Sequence, residues 1–484
     1  MKMIFAIAVR QKSESTLRLK ASGRFKRSNA SLLLMMVFLI CSVWVFGQDK
    51  GSLLIKNGTV LTVTRGTLTQ TDVLVKDGKI AQIGKNIAAP QGVKVIDATG
   101  LFVMPGIIDA HSHIALDAIN EATSPVTAEV AEGDVVNPLQ IGIYRALGGG
   151  VTAVHAMHGS ANAIGGQCET LKLRYGTFDN DAMKMEGAPR TIKFALGENP
   201  TRVHGGGNNI VPRTRMGVEF VIRQAFSQAK KYWEDWDTYN KNKLVKGFRG
   251  APPAYNLRLE TLADILKGNI IVHCHSYRAD EIFMLLKVCK DFGIKRVVFQ
   301  HVNEGFKVAP ELAAYGAMAS VFSDWWAYKF EVYYSTAYNA AILTKNGVTT
   351  SINSDDGEMM RHLYHEAGKT QKYGQLTDDE ALALITINPA KQLGIESRTG
   401  SLEAGKDADI AIFKNHPLSI YGVPQFTIVD GIVRFDRASD PADMRLMPDP
   451  KQNMDEVYFS DKGRDNCMDG TEFLFGNFTE ADKK

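Results

Sequence analysis

Two histidines stand two residues apart in Val103-Met-Pro-Gly-Ile-Ile-Asp-Ala-His-Ser-His113, just past an apolar run. In an extended strand, residues i and i+2 face the same side. His111 and His113 therefore aim two imidazoles at one point, which suits a divalent cation. Such a pair also arises by chance, but three further apolar runs end in comparable residues. They are Val272-His273-Cys274-His275, Phe299-Gln300-His301 and Ile352-Asn353-Ser354-Asp355-Asp356. Each alone reads as a satisfied core or rim residue. Histidines on three run ends and a carboxylate on a fourth together point to a metal centre.

Such residues converge only if their runs are neighbouring strands that end at one face. Between residues 101 and 395 eight short apolar runs recur: Leu101–Ile108, Val151–Ala156, Glu169–Leu173, Thr191–Leu196, Asn269–Val272, Lys295–Phe299, Ala317–Phe322 and Val348–Ile352. Helix-compatible segments such as Ala279–Phe292 lie between several of them. The pattern predicts an α/β fold, a TIM-like (β/α)8 barrel, with an open doubly wound sheet as the alternative. Polar residues just past the run ends favour the barrel, whose strand C-termini form a ring. Residues 48–100 alternate apolar and polar with Asn57-Gly58 and Asp77-Gly78 turns, and a similar texture returns at 396–436. The expectation is a small β-sandwich domain formed from both flanking segments. The long interval 199–268 carries Lys230-Lys-Tyr-Trp-Glu-Asp-Trp-Asp, which reads most simply as a solvated helix. At a barrel mouth an insertion of this size also suits a lid. Residues 437–484 read as an irregular tail.

Over about residues 52–436 the sequence resembles the metal-dependent amidohydrolases, in their imidazolonepropionase-like and prolidase-like branch. The resemblance rests on Pro105-Gly-Ile-Ile-Asp-Ala-His-Ser-His, Ile164-Gly-Gly-Gln, Ala195-Leu-Gly-Glu-Asn-Pro, Val272-His, Gln300-His, Asn353-Ser-Asp, Asn388-Pro-Ala-Lys-Gln-Leu-Gly and Gly400-Ser-Leu-Glu-Ala-Gly-Lys-Asp-Ala-Asp. It implies that His111 and His113 bind the more buried of two metals, taken as zinc. His273 and His301 would bind the second, and Asp355 would bind metal while shuttling the proton. It also implies a bridging group on the fourth strand, often a carboxylated lysine, with Lys193 and Glu198 as the candidates. They stand five residues apart, about 16 Å along an extended strand, so only one can be level with the other ligands. Glu198 follows its apolar run, as His301 and Asp355 follow theirs, and is favoured over Lys193.

The implied chemistry is hydrolysis of an amide-like C–N bond in a small substrate such as a dipeptide. Metal-bound hydroxide would attack and Asp355 would pass the proton to the departing nitrogen. His275 shares a face with His273 and is expected to contact substrate, as are His204, Arg213 and, as a candidate oxyanion donor, Tyr255. Arg202 and Arg215 are further carboxylate-clamp candidates, with ordinary ion pairing as the alternative. Trp325-Trp326 reads as packing or as a pocket wall. The rival readings are a mononuclear deaminase or cyclic-imide hydrolase, and a non-catalytic relative, against which the retained ligands argue.

The first 47 residues carry eight basic side chains before a short apolar run, Leu32–Phe46. This pattern predicts a secretory signal peptide removed near Gln48, hence a periplasmic or secreted protein with no stable membrane insertion after cleavage. An uncleaved anchor is the alternative. Without that segment the whole-chain charge of +3 turns slightly negative, which argues against a nucleic-acid partner. Homo-oligomerisation stays open. Cys168, Cys274, Cys289 and Cys467 lack C-x-x-C spacing and read as buried thiols, with one disulfide as the alternative.

Overall fold

The computed structural model describes residues 50–207, 209–325 and 329–439. The signal-peptide reading of residues 1–47, the tail beyond residue 439, Cys467 and Trp326 lie outside them. Among the described residues no helix is long and apolar enough to cross a membrane.

Two eight-stranded sheets organise the described residues. The first collects β1 (Leu53–Leu61), β2 (Thr67–Lys76), β3 (Lys79–Gly84), β4 (Lys94–Asp97) and β5 (Leu101–Pro105) from one flank. The other flank adds β14 (Ile410–Lys414), β15 (Val423–Val429) and β16 (Ile432–Asp436). The two flanks, expected as a sandwich, form one continuous sheet, because β14 pairs antiparallel with β5. Val60, Val73, Val75, Val103, Ile410 and Ile428 form its apolar core, so the segments from both ends fold as one unit.

The second sheet is the barrel: β6 (Ile107–Ser112), β7 (Val151–Ala156), β8 (Ile164–Lys172), β9 (Arg190–Ala195), β10 (Ile270–Ser276), β11 (Val297–His301), β12 (Met318–Val321) and β13 (Thr350–Ile352). They are hydrogen-bonded in sequence order. Just past β13 the Asp355 N–H donates to the His111 carbonyl at 3.1 Å, drawing the last strand's end to the first. The first apolar run is split between the two sheets at Gly106. A Cβ there would sit 2.1 Å from the Thr152 hydroxyl, so only glycine lets the chain cross against β7.

One strand departs from the parallel pattern. β8 runs antiparallel to both β7 and β9. A parallel crossover needs a dozen or more residues, and only residues 157–163 separate β7 from β8. The direction therefore follows from the length of the link. The aromatic, charged stretch at 230–237 belongs to the helix Arg215–Asn242, which buries Val218, Ile222, Phe226 and Ala229 at helical spacing and turns its charged face to solvent. Thr214 caps its first turn by accepting from the Gly217 N–H.

Candidate metal centre

The C-terminal rim of β6 and the turn after β13 bring His111, His113 and Asp355 together. One ligand atom from each lies within 4.8 Å of the others. His111 Nε2 and His113 Nε2 stand 3.3 and 3.2 Å from the same oxygen, Asp355 Oδ1. Neighbouring groups fix the imidazole orientations. His113 Nδ1 donates to the Met157 carbonyl at 2.8 Å, and His111 Nδ1 faces Gln300 Oε1 at 3.2 Å. A neutral ring that donates through Nδ1 presents a lone pair at Nε2. Three acceptor atoms thus converge in a buried place. The nitrogen and oxygen donors fit a divalent metal such as zinc.

Burial enforces the neutral form. It pushes His111 and His275 well below the ordinary histidine value and His301 down to about 3. His301 extends the cluster: its ring centroid is 4.7 Å from that of His111 and 4.7 Å from that of His275, and its Nε2 is 3.9 Å from Asp355 Oδ2.

Strand alternation alone would not build this cluster. Gln300 and His301 are consecutive, yet Gln300 contacts His111 and His273 inside the barrel and His301 contacts His111 and His275. The backbone reverses at that point: φ is +69° at His301, +48° at Val302 and +50° at Asp355. Left-handed φ at non-glycine residues costs on the order of 1–3 kcal/mol each and gathers at functional sites. Asp109 anchors the last of these turns. Its carboxylate accepts from the Ser354 hydroxyl and from the backbone N–H groups of His111 and Ser354, so β6 holds the residue before Asp355 directly. Burial lifts Asp109 to about 7 against those bonds.

On β9, Lys193 is wholly buried and its Nζ lies 3.0 Å from His111 Nε2. Glu198 is not at this cluster. It opens the short helix Glu198–Thr201, its carboxylate lies 3.6 Å from Lys329 Nζ, and its N–H donates to Glu331. The preference for Glu198 compared strand levels at the backbone. The four-methylene lysine stem carries an amine from deeper in the barrel up to the rim.

β10 departs in the same sense. His273 pairs in register with Lys193, one layer deeper than His275, which pairs with Ala195 and Gln300. Its Nδ1 accepts from Gln300 Nε2 at 3.0 Å, and its ring lies 4.3 Å from that of His155. The imidazole that reaches His301 is that of His275, expected to touch substrate. His204 is buried beside Asn162, 3.4 Å away. Arg213 is exposed. Arg215 pairs with Glu281 and Glu331, as in the ion-pair alternative. Tyr255 is 68% exposed and lines an outer cavity of about 410 Å³ with Tyr232, Trp233 and Trp236, so it is not placed as an oxyanion donor. Trp325 stacks on Phe322, which stacks on His301, and walls the centre. Cys168, Cys274 and Cys289 are buried free thiols.

The amidohydrolase family model matches residues 102–435, two thirds of the chain and the whole barrel. The chain belongs to the amidohydrolase family. It is 31% identical over 394 residues to amidohydrolase tasK of Hapsidospora irregularis, covering 75% of this chain and 40% of that protein. The chain thus spans about two fifths of that relative. It is 44% identical over 389 residues to the 5-methylthioadenosine/S-adenosylhomocysteine deaminase of Pyrococcus furiosus, covering 74% of this chain and 86% of that one. The solved structure of an amidohydrolase from Thermotoga maritima MSB8 superposes with a TM-score of 0.73 at 34% identity, covering 80% of this chain and all of that one.

Asp109 and Gln300 belong to the metal-centre cluster as well, Asp109 through Ser354 and the His111 N–H, Gln300 through His111 and His273. Each lies within two residues of a clustered histidine in the sequence, and that adjacency is the signal that could have found them.

Proposed function

We propose that this amidohydrolase hydrolyses an amide-like C–N bond in a small substrate at a binuclear centre. His111, His113, Lys193, His275, His301 and Asp355 would hold the metals, with Lys193 as its carboxylate adduct bridging them. The observation that carries this reading is the approach of the buried Lys193 amine to 3.0 Å from His111 Nε2. A bound divalent metal supplies Lewis acidity and lowers the pKa of water to about 7. Asp355 takes the proton of the attacking water and delivers it to the leaving nitrogen as the C–O bond forms and the C–N bond breaks. Gln300 and the Met157 carbonyl hold His111 and His113 in the donor tautomer throughout. Phe322 and Trp325 form an aromatic wall on the His301 side.

The test is metal-stripped protein reconstituted with zinc and bicarbonate, followed by a screen of dipeptides, N-acyl amino acids and cyclic amides. Zinc-dependent release of a carboxylate and an amine supports the reading. The Pyrococcus relative, a deaminase by name, favours a second reading in which ammonia leaves an amidine-type ring carbon, and ammonia release from such rings distinguishes the two. We place the mature protein outside the cytoplasm, on the strength of the basic and apolar N-terminal segment. Intact mass of the natively produced chain tests this, and retention of residues 1–47 would contradict it.

A further inference from the structure

His273 is the one histidine of β10 and β11 that the metal centre leaves unused. It is wholly buried and pairs in register with Lys193, one layer below His275. Its Nδ1 accepts from Gln300 Nε2 at 3.0 Å. The other end of the same amide, Gln300 Oε1, stands 3.2 Å from His111 Nδ1. Among the described residues the amide has no other hydrogen-bond partner. Beyond it, His111 Nε2 lies 3.0 Å from Lys193 Nζ.

Donor and acceptor alternate in one direction along these four groups. Lys193 donates to His111 Nε2, His111 Nδ1–H to Gln300 Oε1, and the Gln300 N–H to His273 Nδ1. Burial keeps His273 well below the ordinary histidine value, so its single ring proton sits on Nε2.

A carboxamide is nearly symmetric in shape, so its partners decide which end faces which. Turned over, Gln300 would offer His111 Nδ1 an N–H. The His111 proton would then move to Nε2, and that nitrogen could no longer hold a metal. The observed orientation needs an acceptor for the Gln300 N–H at the far end, and His273 Nδ1 is that acceptor. Without it the observed orientation buries an N–H with no partner, whereas the turned one leaves only a carbonyl. Orphaned buried N–H groups are the rarer of the two.

We propose that His273 is a positioning residue. From a layer below the metal centre it fixes the Gln300 amide, and through it the tautomer that leaves His111 Nε2 open to the metal. This rests on the metal-centre reading above. The rival roles are a metal ligand, as the family resemblance implied, and mere packing against His155, whose ring lies 4.3 Å away.

The test is a double-mutant cycle on the full-length protein, with zinc affinity read by chelator competition. His273→Phe keeps a ring against His155, removes the acceptor, and should weaken zinc about tenfold or more. Gln300→Glu offers an oxygen at either end, so in that background His273→Phe should change zinc affinity less than about threefold. An equal loss in both backgrounds overturns the inference in favour of a ligand or packing role. No loss in His273→Phe overturns it outright. Nitrogen NMR of the metal-free wild type needs no variant to fold. His111 should carry its proton on Nδ1 and His273 on Nε2, and either proton found on the other nitrogen overturns the inference while zinc binding leaves the metal centre standing. A wild type that binds no zinc brings down the metal-centre reading, and this inference with it.

Discussion

The molecule buries two polar clusters, and they are built on opposite terms. Where the barrel meets the small sheet, Lys172 of β8 lies 2.7, 3.1 and 2.6 Å from Asp407, Asp409 and Asp430. Arg174 holds Asp430 at 2.7 Å, and Lys79 and Arg398 hold Asp407. Each buried charge there faces an opposite one. At the barrel rim, by contrast, both oxygens of Asp355 and both ring nitrogens of His301 are buried without hydrogen bonds. A paired cluster joins two sheets. At the rim the acceptor atoms outnumber the donors that reach them. Asp407 and Asp409 come from the Gly-Lys-Asp-Ala-Asp motif, so the motif that carries family resemblance serves the joint, not the chemistry.

The comparison breaks first at Lys172. Lys172→Met leaves three buried carboxylates short of their shared cation and should cost about 3–5 kcal/mol, read by urea unfolding. His301→Ala should cost far less stability and remove activity. A mild effect of Lys172→Met would mean that the joint is not held by charge.

Acid should separate the clusters next. Burial depresses His155 to about 3 and His158 to about 4, both below the unfolded value near 6.5. The unfolded chain then binds more protons, so the stability these groups contribute is present above pH 6.5 and is lost as pH falls toward 3–4. By pH 5 the loss should be about 2 kcal/mol for each histidine. The Lys172 joint adds nothing to this loss above pH 5, because Asp407 is held down at about 2 by its cations despite burial, whereas Asp109, lifted to about 7, gains stability over the same range and opposes it. Metal-free wild type and His155→Gln, each unfolded at pH 7.5 and at pH 5, isolate the share of that histidine, and an equal pH dependence in the two would contradict it.

Smaller effects sharpen the rim. Gln300→Leu removes the acceptor that orients His111 and should weaken zinc about 10–100-fold, as loss of an orienting partner does, read by chelator competition. Glu198→Gln should change zinc content not at all and turnover only a few-fold. A full loss of zinc in Glu198→Gln would return the bridge to that residue.

Much of this was legible before the structure. The eight apolar runs marked the barrel strands because burial on both faces imposes apolar character. His111, His113 and Asp355 were legible because i, i+2 spacing and strand ends are local properties. The level that each side chain reaches within the barrel was not. It depends on the reach of the Lys193 stem, on which of His273 and His275 stands higher, and on left-handed turns at His301 and Asp355 that override alternation.

Zinc per chain in wild type and in Lys193→Met, reconstituted with and without bicarbonate, tests the central claim most directly. The account predicts two zinc ions per wild-type chain, dependence on bicarbonate, and one or fewer in Lys193→Met with turnover lost. Two zinc ions retained in Lys193→Met, or a wild type that holds one whatever the bicarbonate, would contradict it.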